Sequence, residues 1–149
     1  MRLNRPNIAR LIPHAGRMVL LDGVLDWTAE TLLARACSHR APDNPLRRAG
    51  RLSILTGIEY AAQATAIHGA LLTAHAEEGG ARQGLLAMAR DIRWSVDRLD
   101  TLDDELDIHV QLLTSQTDST LYAFRLIAGG AERLGGRLAI FFPEGAKTP

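Results

Sequence analysis

The stretch that decides the fold runs from Thr56 to Gly69, TGIEYAAQATAIHG. It lies inside the longest helical candidate of the chain, about Ser53 to Ala76, which the Gly79-Gly80 pair ends. Ile54, Ile58, Ala61, Ala62, Thr65 and Gly69 recur at helical spacing, and the other faces also carry Ala or Leu. Such a helix is apolar over much of its circumference and needs cover on more than one side. Its one carboxylate, Glu59, sits near the start. Two readings of Glu59 are open. Thr56-Gly57-Ile58-Glu59 has the T-x-x-E spacing of a capping box, in which Glu59 bonds back to the N-cap amide. Alternatively, an acid in an Ala/Ile helix is an active-site acid.

Outward from this helix the chain reads as strands. Upstream, Asn7 to Pro13 (NIARLIP) is a short helix with Asn7 as cap and Pro13 as stop. Arg17–Trp27 and Thr31–Ser38 have strand character and form a hairpin across Thr28-Ala29-Glu30. His39 to Gly50, rich in Pro, Asn, Asp, Gly and Arg, is a structured loop. Downstream follow GLLAMARDIRWSV, ELDIHVQLLTS, TLYAFRLIA and RLGGRLAIFF, separated by turn-like DRLDTLDD, QTDS and AGGAE. In the second of these, Leu106, Ile108, Val110 and Leu112 alternate with Asp107, His109 and Gln111. Short turns between neighbouring strands imply an antiparallel sheet. The fold class is therefore α+β, with a curved sheet wrapped around one long helix.

With 149 residues the chain is the size of one domain, residues 1–149. Seventeen Lys+Arg balance seventeen Asp+Glu, which gives no electrostatic case for nucleic acid or an anionic membrane and favours oligomerisation. Cys37 is the only cysteine, so no internal disulfide can form and a reducing cytoplasm fits. The first residues carry charge but no continuous apolar run, so no signal peptide is expected, and no stretch is long enough to span a membrane. No metal-ligand spacing, phosphate-binding Gly loop or nucleophile elbow occurs.

Two segments carry a family resemblance. LIPHAGRMVLLDGVLD, Leu11 to Asp26, and IEYAAQATAI, Ile58 to Ile67, are similar to the opening and central-helix motifs of the hotdog-fold 3-hydroxyacyl-acyl-carrier-protein dehydratases. The combination NPLR…GIEYAAQA…HG most resembles the predicted dehydratases of aryl-polyene clusters. The resemblance covers about residues 8 to 142 and implies an antiparallel sheet around a central helix, a homodimer or a heterodimer with another hotdog dehydratase, and no cofactor. The substrate would be a 3-hydroxyacyl chain on the phosphopantetheine of an acyl carrier protein. It favours a functional Glu59.

One departure bears on the chemistry. The family has a catalytic His fourteen positions before its acid, and here that position is Pro45, within DNPLRRAG. Dehydration needs a base for the α-proton, an acid for the departing hydroxyl and donors for the thioester carbonyl. Candidates for the missing base are His14, which otherwise shapes the turn into the first strand, His39, at the start of the loop before the helix, and a residue from a partner chain. His68 stands nine residues after Glu59, about 13 Å along a helix at ~1.5 Å per residue, too far for a direct pair. His75 and His109 read as solvent-facing. Asn44 is a candidate to orient a water or a thioester oxygen, against the commoner Asp/Asn-Pro turn. Gln63, one turn after Glu59, is placed to orient it or a backbone carbonyl. Arg47 and Arg48 are candidates for the phosphopantetheine phosphate or an acidic carrier, against solvated loop charges. Rival functions are an acyl thioesterase using Glu59 with Asn44, and a subunit without activity of its own that binds acyl carrier or completes a heterodimeric dehydratase.

Overall fold

A computed structural model describes residues 2–12, 16–75 and 84–143. In chain order the elements are β1 (Leu3–Asn4), α1 (Arg5–Leu11), β2 (Gly23–Trp27), β3 (Thr31–Ala36), α2 (Gly57–His75), β4 (Leu85–Trp94), β5 (Leu106–Ser115), β6 (Ser119–Ala128) and β7 (Ala131–Phe141), with 3-10 turns at Gly16–Met18, Ser38–Arg40 and Ile54–Thr56. The strands form one seven-stranded sheet in the order β1-β2-β3-β5-β6-β7-β4, with every pairing antiparallel. β4 follows the helix yet pairs with β7 at the far edge.

Alternation aims one face of the sheet at α2. Leu32, Ala34 and Ala36 of β3, Leu106, Ile108 and Val110 of β5, and Tyr122, Phe124 and Leu126 of β6 are buried. Opposite them α2 presents Tyr60, Ala61, Ala64, Ile67 and His68, all fully buried. Each large apolar side chain removed from water here contributes roughly 1.5–3 kcal/mol. The helix begins so close to the sheet that a Cβ on Gly57 would lie 2.6 Å from Leu134 Cδ2 and 2.7 Å from Leu126 Cδ2. Small residues are what let the sheet close on the helix.

Three expectations need correction. α1 starts earlier than expected: Asn4 is its N-cap, and Asn7 is the reciprocal partner, the two side chains accepting from each other's backbone N–H at 3.0 and 3.1 Å. Arg17–Trp27 is not one strand. Its first half is a 3-10 turn and an extended segment, because the backbone of Met18 and Leu20 bonds to Gln63 of α2 and not to a strand. The helix expected from Ser53 begins with a 3-10 turn and becomes α-helical at Gly57. Pro13 and Gly79-Gly80 lie outside the described residues.

Candidate active site

The Thr56 hydroxyl donates to the Ser53 carbonyl at 2.6 Å, and Ser53 Oγ accepts from the Leu55 N–H. Capping at this end falls to Ser53, so Glu59 does not complete a capping box with Thr56. Its side chain instead lines a cavity of about 620 Å³. Among the described residues no group hydrogen-bonds to the Glu59 carboxylate.

The cavity follows one stripe of α2. Glu59, Ala62, Ala66, Gly69 and Thr73 line it at alternating three- and four-residue spacing, so the small side chains leave room along the helix. Leu112 of β5, Ile140 of β7, Phe142 just after β7 and Leu86 of β4 form apolar walls. Among the described lining residues Glu59 is the one acid, Arg10 the one cation, and there is no histidine. An acid in such surroundings is suited to proton transfer at a substrate that also lies out of water.

Gln63, one turn past Glu59, is buried and clamps the chain: its Oε1 accepts from the Leu20 N–H at 2.9 Å and its Nε2 donates to the Met18 carbonyl. It lines the cavity while its amide holds backbone. Further along α2, His68 donates from Nε2 to the Thr28 carbonyl at 2.8 Å, and burial holds its pKa below the usual histidine value. The neutral ring therefore presents a bare Nδ1, which accepts from the Tyr122 hydroxyl at 2.7 Å. Burial pushes the Tyr122 phenol up. Tyr122 lines the cavity and was not among the sequence candidates. Its signal was the inward phase of β6, shared with Phe124 and Leu126.

The remaining candidates lie elsewhere or outside the described residues, as His14 does. His39 is fully buried in the Ser38–Arg40 turn, where Nε2 meets the Leu102 carbonyl at 2.9 Å, and it is not among the cavity-lining residues. Burial lowers its pKa as well. Asn44 is consumed by its loop: Nδ2 donates to the Ser38 carbonyl and Tyr60 hydroxyl, and Oδ1 accepts from the Leu46 N–H in an Asx turn. It does not line the cavity with Glu59. Arg47, expected at a phosphate or in solvent, is tied to the carbonyls of Ala41, Gly50 and His39, with Asp100 at 3.6 Å. Arg48 is exposed and donates to the Arg47 carbonyl. His109 is half-buried on the outer face of β5. The His75 side chain lies outside what the structure describes. Of the sequence candidates among the described residues, Glu59 and Gln63 line the cavity, whereas His39, Asn44, Arg47 and Arg48 do not.

This geometry can be set beside known proteins. A family model described as ApeP-like, ApeP dehydratase, matches residues 6–148. The chain belongs to the ApeP-like dehydratase family. The dehydratase expectation of aryl-polyene type therefore stands. Among solved structures, the dehydratase heterocomplex ApeI:P from Xenorhabdus doucetiae is 24% identical, with 94% of this chain and 93% of that chain covered at a TM-score of 0.80. A putative thioesterase from Silicibacter sp. TM1040 is 13% identical, with 95% and 92% covered at a TM-score of 0.64. A hypothetical thioesterase with coenzyme A from Streptococcus pneumoniae is 11% identical, with 84% and 87% covered at a TM-score of 0.59. At these identities the likeness establishes the hotdog fold. No curated protein matches the chain. Among the described residues no helix is long and apolar enough to cross a membrane.

Proposed function

We propose that this chain supplies the acid half of a dehydratase site, and that a second hotdog chain, seated on the β4 edge, supplies the base. The substrate is a 3-hydroxyacyl thioester carried on the phosphopantetheine of an acyl carrier protein. Glu59 protonates the departing hydroxyl, the partner's base removes the α-proton, the C–H electron pair becomes the double bond and water leaves. The observation that carries this reading is a carboxyl on the wall of an apolar cavity without a histidine among its described lining, bounded by a strand edge that no described strand pairs. Gly84 and Leu86, at the start of β4, line the cavity. Among the described residues β4 pairs with β7 alone, and Leu85, Leu86, Met88 and Trp94 are exposed along it. An apolar strand edge of this length invites pairing with another chain. The similar structure ApeI:P, a dehydratase heterocomplex, supports pairing with another chain.

The test is to incubate the protein, in the assembly in which it is purified, with a 3-hydroxyacyl carrier thioester and follow the acyl mass. Loss of one water, abolished by Glu59→Gln, is the expected result. Release of free acid would make it a thioesterase. An unchanged acyl group on a carrier that stays bound would reduce the chain to a binding subunit.

A further inference from the structure

We propose that the end of the cavity remote from Glu59 is a subsite for the far end of the acyl chain, in which Thr120, with Ser115 and Tyr122 beside it, takes a terminal hydroxyl group. This rests on the acyl-thioester reading above.

Two contacts set the register of α2 on β6: Gly57 abuts Leu126, and His68 bonds Tyr122. Helix and strand therefore run in opposite directions, and residues toward the start of β6 lie progressively further from Glu59. Tyr122 sits at the level of His68, ~13 Å along the helix from Glu59. Thr120 lies two residues further, another ~7 Å along the strand. Thr73, beyond His68 on α2, lines the same cavity.

The chemistry at this end differs from the apolar walls leading to it. Thr120 shares the inward phase of Tyr122, Phe124 and Leu126, and Ser115 stands opposite it in the β5–β6 register. Both line the cavity. The Thr120 Oγ1 is buried and has no hydrogen-bond partner among the described residues, an unfavourable arrangement unless a ligand satisfies it. Tyr122 spends its proton on His68, and Thr73 spends its own on the Gly69 carbonyl, so both oxygens keep lone pairs to accept with. A terminal hydroxyl matches this set: it donates to Tyr122 or Thr73 and accepts from Thr120. A terminal methyl satisfies none of them.

The experiment titrates two series of acyl-pantetheine amides, one ending in a hydroxyl and one in a methyl, into the purified assembly across matched chain lengths. At the length that reaches Thr120 the hydroxyl series binds about fivefold tighter, the value of one net hydrogen bond. Thr120→Val removes the preference and Thr120→Ser keeps it. Equal affinity of both series at every length, or a preference that survives Thr120→Val, overturns the subsite and leaves the acyl site standing. Failure of both series to bind overturns the acyl site, and the subsite with it.

Discussion

Glu59 and Gln63 stand one helical turn apart and do opposite kinds of work. Glu59 has no protein partner among the described residues and lines the cavity, so its removal bears on chemistry. Glu59→Gln is expected to lower dehydration at least about 100-fold with the melting temperature unchanged, as a kinetic assay beside a thermal melt will show. Gln63 holds the Leu20 N–H and the Met18 carbonyl. Gln63→Leu strands a buried N–H, and a urea titration should report a loss of about 1–3 kcal/mol. Asp100 is a third residue whose role is set by its neighbours. It accepts from the Leu52 N–H at 3.0 Å and from Arg98 at 2.6 Å, which holds its carboxyl well below the usual carboxylate range. With Arg47 it ties the loop before α2 to the loop after β4.

At the scale of the element, the entry to α2 shows why the T-x-x-E spacing misleads. Both T-x-x-E residues are present, but the preceding turn is 3-10 and rotates the Thr56 hydroxyl back toward the Ser53 carbonyl. Ser53→Ala should therefore cost about 1 kcal/mol, whereas Thr56→Ala should stay within about 0.5 kcal/mol. Gly57→Ala drives a methyl into Leu126 and Leu134 and should cost about 1–3 kcal/mol, despite alanine's better helix propensity. Chemical denaturation of the three variants gives the order directly. β4 is the other element whose surroundings matter. Asp91 at φ 55° marks a bulge opposite Gly136, whose Cβ position would lie 2.5 Å from Ile92 Cδ1.

Across the whole molecule, buried histidines link stability to pH. His39 and His68 both have folded-state pKa values below the ordinary 6.5, chiefly because burial disfavours their charged forms. His109 is lowered too, by burial and then by Arg125. Just below pH 6.5 the unfolded chain thus binds more protons than the folded one. Stability is complete above that pH and falls as the pH drops toward the folded values, by up to about 1.4 kcal/mol per pH unit for each such histidine. Thermal melts from about pH 7.5 to pH 5 should show this decline, and His68→Gln should flatten it. The proposed assembly on β4 is testable at the same scale. Met88→Lys on the exposed β4 edge should shift the protein toward monomer in sedimentation, and dehydration should fall with it.

Much of this was legible in the chain itself. Local periodicity marks the helix through its Ala, Ile and Gly spacing and β5 through its alternation, and these patterns survive because each records which side of one element meets the core. Glu59 was legible for the same reason, as an acid out of place in an apolar helix. The employment of Arg47 and His39 was not, and the turn made by Asn44 was one of two readings open for it. Each is a polar residue in a loop, and only the packing of the 39–50 loop against Tyr60, Leu102 and Asp100 decided that their hydrogen bonds are spent on the fold. The tertiary structure likewise decided that Tyr122 and Thr120 line the cavity with Glu59. They lie more than sixty residues from it in the chain, and their placement depends on the antiparallel register of β6 along α2, a long-range relation that no local pattern encodes.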